Sequence, residues 1–299
     1  MAKKEMPSYG GQAVIEGVIM RGKSSIALAA RAPDDEIVVH KENLTGIYTS
    51  NIAKIPFLRG LIILWDALVL GTRYLTMSAN IQTEEDEKLE GPALYITLAI
   101  SLVFGVGVFF LLPALISGLL AQYTSWSPWV VNLFEGILRL IILVAYLWSM
   151  GKMADIRRVF MYHGAEHKTI NAYEDGAELT PENVMSYSVE HPRCGTAFTL
   201  TLVLISILLF SLLGPLPLHL RLLSRLLMIP VLAGIAYEYI RFMSKHLDNT
   251  VVQLLIKPNL ALQKMTTREP TLEMLEVSIR AFNEMRVMEE GKEAVPAIT

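Results

Sequence analysis

Four long apolar runs constrain the fold of this chain more than any other feature. They cover residues 92–120, 129–150, 197–213 and 222–242. A helix needs roughly 20 mostly apolar residues to cross the hydrocarbon core of a bilayer. Hydrophobic residues make up 53% of the 299-residue chain, a larger share than is typical of soluble domains. The sequence therefore predicts an α-helical integral membrane protein with about four transmembrane helices.

The charges that flank these runs predict how the chain is oriented. The link 122–132 has no charged residue and carries Trp126 and Trp129, and tryptophan is typical of the membrane interface. Residues 1–91, the segment after residue 150 and the C-terminal tail are rich in Lys and Arg. Cytoplasmic segments carry such an excess, so we expect both termini in the cytoplasm, with Arg221 as the one contrary charge.

The N-terminal residues predict a cytoplasmic β-rich segment over 1–55. Pro and Asp in 32–35 mark a turn between the apolar stretches 25–31 and 36–40, which indicates a β-hairpin. Residues 10–22 predict one further strand, interrupted by glycines. Residues 56–90 predict an interfacial or re-entrant helix and a linker, because charged residues interrupt the apolar run 57–71. A fifth span is the alternative.

The rest of the chain divides at the apolar runs. The tail predicts an amphipathic helix over about 272–290, with Thr271 as its N-cap. With the hairpin it would form a small cytoplasmic α+β portion. The expected segments are transmembrane helices 1 and 2 in 91–151, a cytoplasmic metal-site segment in 152–196, transmembrane helices 3 and 4 in 197–243, and the cytoplasmic tail in 244–299.

A histidine pair predicts a metal site. His163, Glu166 and His167 follow the H-x-x-E-H order of one class of zinc hydrolases. Residues four apart on a helix share a face, so the two histidines can hold one ion. Glu166 is offset by one position and can act as the general base for a metal-bound water.

Two residues later in the same polar segment can complete the ligand set. They are His191 and Cys194, the only cysteine. Three protein ligands and an open position would indicate a catalytic zinc, whereas a closed set of four would indicate a structural one. Both remain open, and mixed nitrogen and sulfur ligands favour zinc. In the alternative without a metal, Cys194 is simply a small buried side chain.

Four further residues are candidate members of the site. Glu174 shares the face of His167 but lies roughly 10 Å further along a straight helix. Glu238 is expected near the cytoplasmic end of the fourth run, where it can contact a metal ligand or a substrate. His246 and Asp248 follow that run and are reserve ligands.

Charged residues in apolar surroundings form a second group of candidates. Glu16 is either a buried functional carboxylate or a solvated strand residue, since a buried ionisable group needs a partner. Glu135 and Arg139 lie four apart inside the second run. Charges at that depth are usually paired or functional, so we expect them to pair with each other. A lipid phosphate bound by Arg139 is the alternative.

Together these motifs give the chain a family resemblance. It resembles the YqhQ-like family of bacterial integral membrane proteins of unknown function, which are described as predicted metal-dependent enzymes. The resemblance implies a location in the bacterial inner membrane and a bound metal. It covers nearly the whole chain and depends on residues 10–22, 56–60, 163–168, 191–196 and 266–270.

These observations favour a metal-dependent hydrolase at the cytoplasmic membrane surface. Its substrate would be a lipid-linked compound or a membrane protein, and membrane lipids are expected partners. The net charge of −3 argues against nucleic-acid binding, and a homo-oligomer is compatible with the sequence. The alternatives are a membrane scaffold or assembly factor with a structural metal and a transporter, although no repeated half supports the transporter.

Overall fold

The computed structural model describes residues 9–83, 88, 91–214 and 216–291. Short strands come first and helices follow. The strands are β1 (Gly10–Val14), β2 (Gly17–Arg21), β3 (Ser25–Arg31) and β4 (Ile37–Asn43). The α-helices are α1 (Leu58–Ile81), α2 (Gly91–Val106), α3 (Leu112–Tyr123), α4 (Pro128–Met150), α5 (Ala154–Glu174), α6 (Pro181–Met185), α7 (Gly195–Ser211), α8 (Leu218–Leu227), α9 (Ile229–Lys245), α10 (Thr250–Thr266) and α11 (Leu272–Glu290).

The four strands form one antiparallel sheet in the order β1-β2-β3-β4. The predicted hairpin is confirmed, because β3 and β4 pair across the turn at residues 32–35. The prediction of a single strand over 10–22 is wrong. Two strands are present, joined by a two-residue turn at Ile15 and Glu16, where Glu16 has a φ of 50°. Two-residue hairpin turns favour positive φ because it matches the twist of the strands.

Helices cover both faces of the sheet. Successive side chains of a strand point to opposite faces, so each face has its own apolar core. Val18, Met20 and Ala29 face α5 and α11. Ile19 and Leu28 face the opposite way, in the cluster to which α1 contributes.

Helix α1 is longer than the predicted interfacial helix. It runs for 24 residues without a break, although Arg59 and Asp66 were expected to interrupt it. Asp66 is 7% exposed and binds Arg21 of β2 at 2.6 Å, while Arg59 pairs with Glu238 of α9. The two charges are therefore neutralised by neighbours. By length and composition α1 could cross a membrane.

The first two predicted apolar spans are present as helices of sufficient length. Helices α2 and α3 join through a π turn at Gly107–Leu111 into one apolar unit, Gly91–Tyr123, of 33 residues. Helix α4 has 23 residues. With α1, three helices of the described residues are long and apolar enough to cross a membrane, or four if α8 and α9 form one span.

The third predicted span is present as a short continuous helix, and the fourth differs from expectation. Helix α7 has 17 residues, as many as the apolar run 197–213, which is short for a span. The expected continuous helix over 222–242 is a pair, α8 and α9, bent by 46°. Pro230 lies in the first turn of α9, and proline lacks the N–H that would continue the preceding helix. The pair forms a broken span or a re-entrant loop.

The C-terminal region contains one unexpected and one expected helix. Helix α10, capped by Asn249, was not predicted, and it packs on α7 and α4. Helix α11 is confirmed, and the Thr271 hydroxyl accepts a hydrogen bond from the Met274 N–H as predicted for an N-cap. Both helices matter for the candidate site, because α10 lies beside it and α11 packs against α5.

Candidate metal centre

Helix α5 carries the predicted histidine pair. His163 and His167 lie one turn apart on the same face, with ring centroids 4.4 Å from each other. Residues around them, including Tyr162 and Ala165, belong to the apolar core that α5 shares with the sheet and α11. This packing fixes the helix, so the two imidazoles occupy defined positions.

Cys194 reaches the same place from the start of α7. It is the N-cap of that helix, and its Sγ lies 3.1 Å from Nε2 of His163. One ring nitrogen of each histidine and the Cys194 sulfur all lie within 4.8 Å of one another. Ligand atoms of a tetrahedral zinc are roughly 3–4 Å apart. The three residues can therefore hold one ion after small adjustments.

Main-chain carbonyls orient both imidazoles. The Nδ1 of His163 lies 2.9 Å from the Thr266 oxygen, and the Nδ1 of His167 lies 2.6 Å from the Val189 oxygen. A carbonyl oxygen only accepts, so Nδ1 of each ring carries a proton, and Nε2 is the nitrogen that can bind a metal once it has released its own proton. Such bonds are typical of metal-binding histidines. Within the described residues, the buried Nε2 of His167 makes no hydrogen bond.

The charges of the cluster favour the metal-binding form of the cysteine. Burial alone would raise the pKa of Cys194, but the neighbouring His163 and His167 lower it well below its usual value. Burial alone would lower the pKa of His163, but the Cys194 sulfur and the Glu166 carboxylate raise it to about 9. Cysteine binds metals as the thiolate, so the thiol proton is easily displaced here.

Glu166 lies beside the three ligands and has few contacts. It is 5% exposed, and one carboxylate oxygen lies 4.0 Å from Nε2 of His163. Burial raises the pKa of this carboxyl, and the nearby histidines reduce the shift. Gly11 of β1 lies directly over its side chain, since a Cβ there would be 2.8 Å from Glu166 Cγ. Glu166 therefore lies next to the candidate ligand group but outside the closest group of three.

His191 lies next to the cluster but outside its closest group. Its ring centroid is 5.8 Å from that of His167, and its Nε2 is 3.6 Å from a Glu174 oxygen. Burial and the charge of His167 lower the pKa of His191 to about 4, so the ring is neutral at pH 7. Its role as a fourth ligand stays a prediction.

Three candidates from the end of α9 lie apart from the cluster. Glu238 does not contact the metal ligands as expected, because it pairs with Arg59 and accepts a hydrogen bond from the Phe57 N–H. The exposed His246 bonds to the Phe242 oxygen, and Asp248 is also exposed. The closest group of possible ligands among the described residues therefore includes none of these three.

The remaining acidic candidates are ion-paired. Glu16 is half-buried in the β1–β2 turn, where it binds Arg158 of α5 and the Tyr162 hydroxyl. It is thus neither an isolated buried carboxylate nor a strand residue. Glu174 pairs with Arg193, next to His191. The transmembrane candidate, Arg139, pairs with Glu135 as predicted, at 2.8 Å.

Helix α10 supplies a part of the site that was not predicted from the sequence. The Gln263 side chain accepts from the His191 N–H at 2.8 Å and donates to the His191 oxygen at 2.9 Å. Thr266, from the same helix, provides the carbonyl for His163. The sequence does contain a signal for helix α10. Asn249 is a capping residue, and apolar positions that are buried in the structure recur at Val252 and Ile256 with helical spacing.

The close approach of β1 to Glu166 gives a testable prediction. A Cβ on Gly11 would lie 2.5 Å from the Ile19 oxygen and 2.8 Å from Glu166 Cγ. Gly11→Ala should therefore displace β1 or Glu166, and overpacking usually destabilises by about 1–3 kcal/mol. Thermal unfolding of the purified protein measures this effect. Gly10→Ala is the matched control, because no atom lies within 4 Å of a Cβ there. Equal unfolding temperatures for both variants would contradict the proposed contact.

The centre lies where the apolar helices meet the sheet layer. Helix α4 ends at Met150, shortly before α5 begins, and α7 begins directly after Cys194. Helix α10, which packs on α7 and α4, ends at Thr266 beside His163. The candidate ligands thus occupy the boundary between the apolar bundle and the α/β layer.

These features define a class: a largely helical protein with apolar helices of membrane-spanning length, a small antiparallel sheet and a candidate His–His–Cys metal centre between them. The chain belongs to the family described as "Protein of unknown function (DUF1385)", whose sequence profile matches residues 55–288. It is 37% identical to "Uncharacterized protein YqhQ" of Bacillus subtilis (strain 168) over 301 residues, which cover 96% of this chain and 94% of that protein. No solved structure matches the chain. Neither description assigns a metal or a reaction.

Proposed function

We propose that this chain is a metal-dependent membrane enzyme, a hydrolase that acts at the cytoplasmic surface of the bacterial inner membrane. His163, His167 and Cys194 would hold a zinc ion, with His191 as a further candidate ligand. Glu166 would be the catalytic base. The substrate would be a lipid-linked compound or a membrane protein, because the centre lies at the end of the apolar helices.

One observation carries this proposal. The Nδ1 atoms of His163 and His167 are both bound to main-chain carbonyls, and this directs their Nε2 atoms toward the Cys194 sulfur. A chance cluster of polar side chains would have no reason to bring two imidazole Nε2 atoms together at one cysteine sulfur. Nitrogen and sulfur ligands in this combination favour zinc over magnesium or calcium.

Glu166 supplies the feature that would distinguish a catalytic metal site from a structural one. The bound metal would polarise the scissile bond of the substrate as a Lewis acid. Glu166 would accept the proton of the attacking water and deliver it to the leaving group. Burial raises the pKa of Glu166, and a general base is most efficient when its pKa is close to the working pH.

The outer face of α1 supports a position at the membrane surface. One side of α1 packs on the sheet, where Leu70 and Tyr74 are buried. The other side exposes Trp65, Leu68 and Leu75. A helix that packs on a sheet on one side and exposes an apolar face on the other suits the membrane interface better than the hydrocarbon core. We therefore favour an interfacial α1 between the sheet and the lipid.

Fusion reporters test the proposed orientation. Reporters joined near Gly91, Ala177 and Thr299 should be active in the cytoplasm, whereas a reporter at Ser125 should be active outside. This orientation is expected because the link around Trp126 carries no charge, whereas the segments on the other side of the apolar helices are rich in Lys and Arg, as cytoplasmic segments are. A pair of reporters with opposite compartment requirements provides the control at each position. An external signal at Ala177 would place the centre on the other side and refute a cytoplasmic hydrolase.

A structural metal in a membrane scaffold or assembly factor is the second candidate function. The observation that favours it is burial, because His167, His191 and Cys194 are 1%, 3% and 7% exposed. Closed metal sites stabilise folds without binding substrate. A transporter has less support, since Glu135 pairs with Arg139 and Glu238 pairs with Arg59, which leaves both carboxylates occupied.

Cellular complementation separates the two candidates. Substitution of a metal ligand should abolish function in both cases. Substitution of Glu166 by glutamine should abolish function only in a hydrolase, because a structural metal site does not require a general base. If the glutamine variant still complements while the ligand variants do not, the hydrolase is excluded and the scaffold with a structural metal is supported.

A further inference from the structure

The apolar bundle contains a buried charge cluster far from the metal centre. Glu135 of α4 binds Arg139 at 2.8 Å, Arg221 at 3.2 Å and Arg225 at 2.8 Å. Asn132, one turn earlier in α4, accepts from Arg221 and Arg225. Glu135 precedes the end of α4 at Met150 by about 22 Å of helix, so the cluster and the candidate metal centre occupy opposite parts of the bundle.

The charges in this cluster do not balance. Among the described residues, Glu135 is the one carboxylate paired with these three guanidinium groups, which leaves an excess of two positive charges. Arg139 and Arg225 are each 1% exposed, and arginine stays protonated in proteins. Unpaired charge in an apolar environment is strongly unfavourable. The guanidinium carbon of Arg225 lies 4.1 Å from the centroid of the Phe210 ring. This cation–π contact offsets only part of the cost of the unpaired charge.

Arg221 is the residue of the cluster that a ligand can reach. Its Nε binds Glu135 and one Nη binds Asn132, while the other, Nη1, makes no hydrogen bond with any described residue. Arg221 is 8% exposed, so this donor lies at the edge of the cluster. Guanidinium groups bind phosphate oxygens with paired hydrogen bonds. A phosphate at Nη1 would supply both the missing acceptor and the missing negative charge.

We propose that this cluster binds a phosphate group at Arg221, from an anionic membrane lipid or from a soluble phosphate. The residues that form the site are Asn132, Glu135, Arg139, Arg221 and Arg225. The bound phosphate reduces the excess charge, by one if it is a lipid phosphodiester and by one to two if it is inorganic phosphate, and it ties α8 to α4. The site thereby stabilises the bend between α8 and α9, because Arg221 and Arg225 both belong to α8.

Thermal unfolding of the full chain in an uncharged detergent tests this site. The purified protein is measured with phosphatidylglycerol, with phosphatidylcholine, with inorganic phosphate and with sodium chloride of equal ionic strength. A ligand that binds only the folded state raises the unfolding temperature. A rise with phosphatidylglycerol but not with inorganic phosphate identifies a lipid, and a rise with inorganic phosphate identifies a soluble anion. No rise with either would overturn the proposal.

Arg221→Gln removes the exposed donor and should weaken the phosphate effect roughly tenfold or more in apparent affinity, because hydrogen bonds to charged groups are strong. Arg280→Gln is the matched control, since Arg280 pairs with Glu284 on α11. An unchanged phosphate effect in Arg221→Gln would contradict the site.

Asn132→Asp gives a second test that does not depend on the stability of the Arg221 variant. It adds a carboxylate within reach of Arg221 and Arg225 and reduces the excess charge from two to one. Without lipid or phosphate this variant should unfold at a higher temperature than the wild type, and added phosphate should raise that temperature less. A lower unfolding temperature together with an undiminished phosphate effect would show that excess positive charge does not drive phosphate binding at this cluster.

Discussion

His163→Ala and His167→Ala should each remove most of the metal from the purified protein. The wild type is expected to hold close to one zinc ion per chain. Each histidine contributes one of three converging ligand atoms that lie within 4.8 Å of one another, and two remaining ligands rarely hold zinc tightly. Elemental analysis of protein purified without added metal measures the occupancy.

One control variant and one further ligand variant complete this experiment. His246→Ala should keep the metal, because His246 is exposed and bonds to the Phe242 oxygen rather than to the cluster. Cys194→Ser should weaken metal binding if the thiolate is a ligand, since a hydroxyl is a poor zinc ligand. Full zinc occupancy in either His163→Ala or His167→Ala would mean that the α5 pair is not the site.

Glu166→Gln should retain the metal and lose function. Its carboxylate accepts no hydrogen bond from any described residue, so the amide removes no structural bond, but it cannot accept a proton. A positioned general base contributes typically about 10²–10⁴-fold to the rate, so complementation should fail. The comparison requires elemental analysis and complementation on the same variant.

Glu182→Gln is the matched control for this change. Glu182 is an exposed acid in α6, and surface substitutions usually change stability by less than about 0.5 kcal/mol. The control variant should complement fully. Full complementation by Glu166→Gln, with the histidine variants still inactive, would exclude the hydrolase and favour a structural metal.

The parts of the site that local sequence determines were predictable. His163 and His167 share a face because helical geometry places residues four apart on one side, and the structure brings Cys194 to them. The hairpin β3–β4 and the cap at Thr271 likewise follow from nearby turn and capping residues. In each case the signal lies within a few residues of the feature.

The parts that depend on tertiary contacts were not predictable in this way. Glu238 was expected near the metal because the fourth apolar run ends there, but Arg59 from a distant helix binds it. Arg221 looked like a loop charge that opposed the predicted orientation, yet it is buried against Glu135. The Thr266 and Val189 carbonyls that orient the histidines are main-chain groups, so no residue type in the sequence indicates their role.

The distance along the chain between the sheet and α11 sets the timing of assembly during synthesis. Met20 and Ala29 pack against Phe282 and other residues of α11, and the Ser25 hydroxyl donates to the Met285 oxygen across 260 positions. At about 5–20 residues per second, translation leaves the part of this face of the sheet that α11 covers exposed for tens of seconds while the apolar helices are made. This apolar surface of the sheet therefore stays exposed in the nascent chain until α11 has left the ribosome.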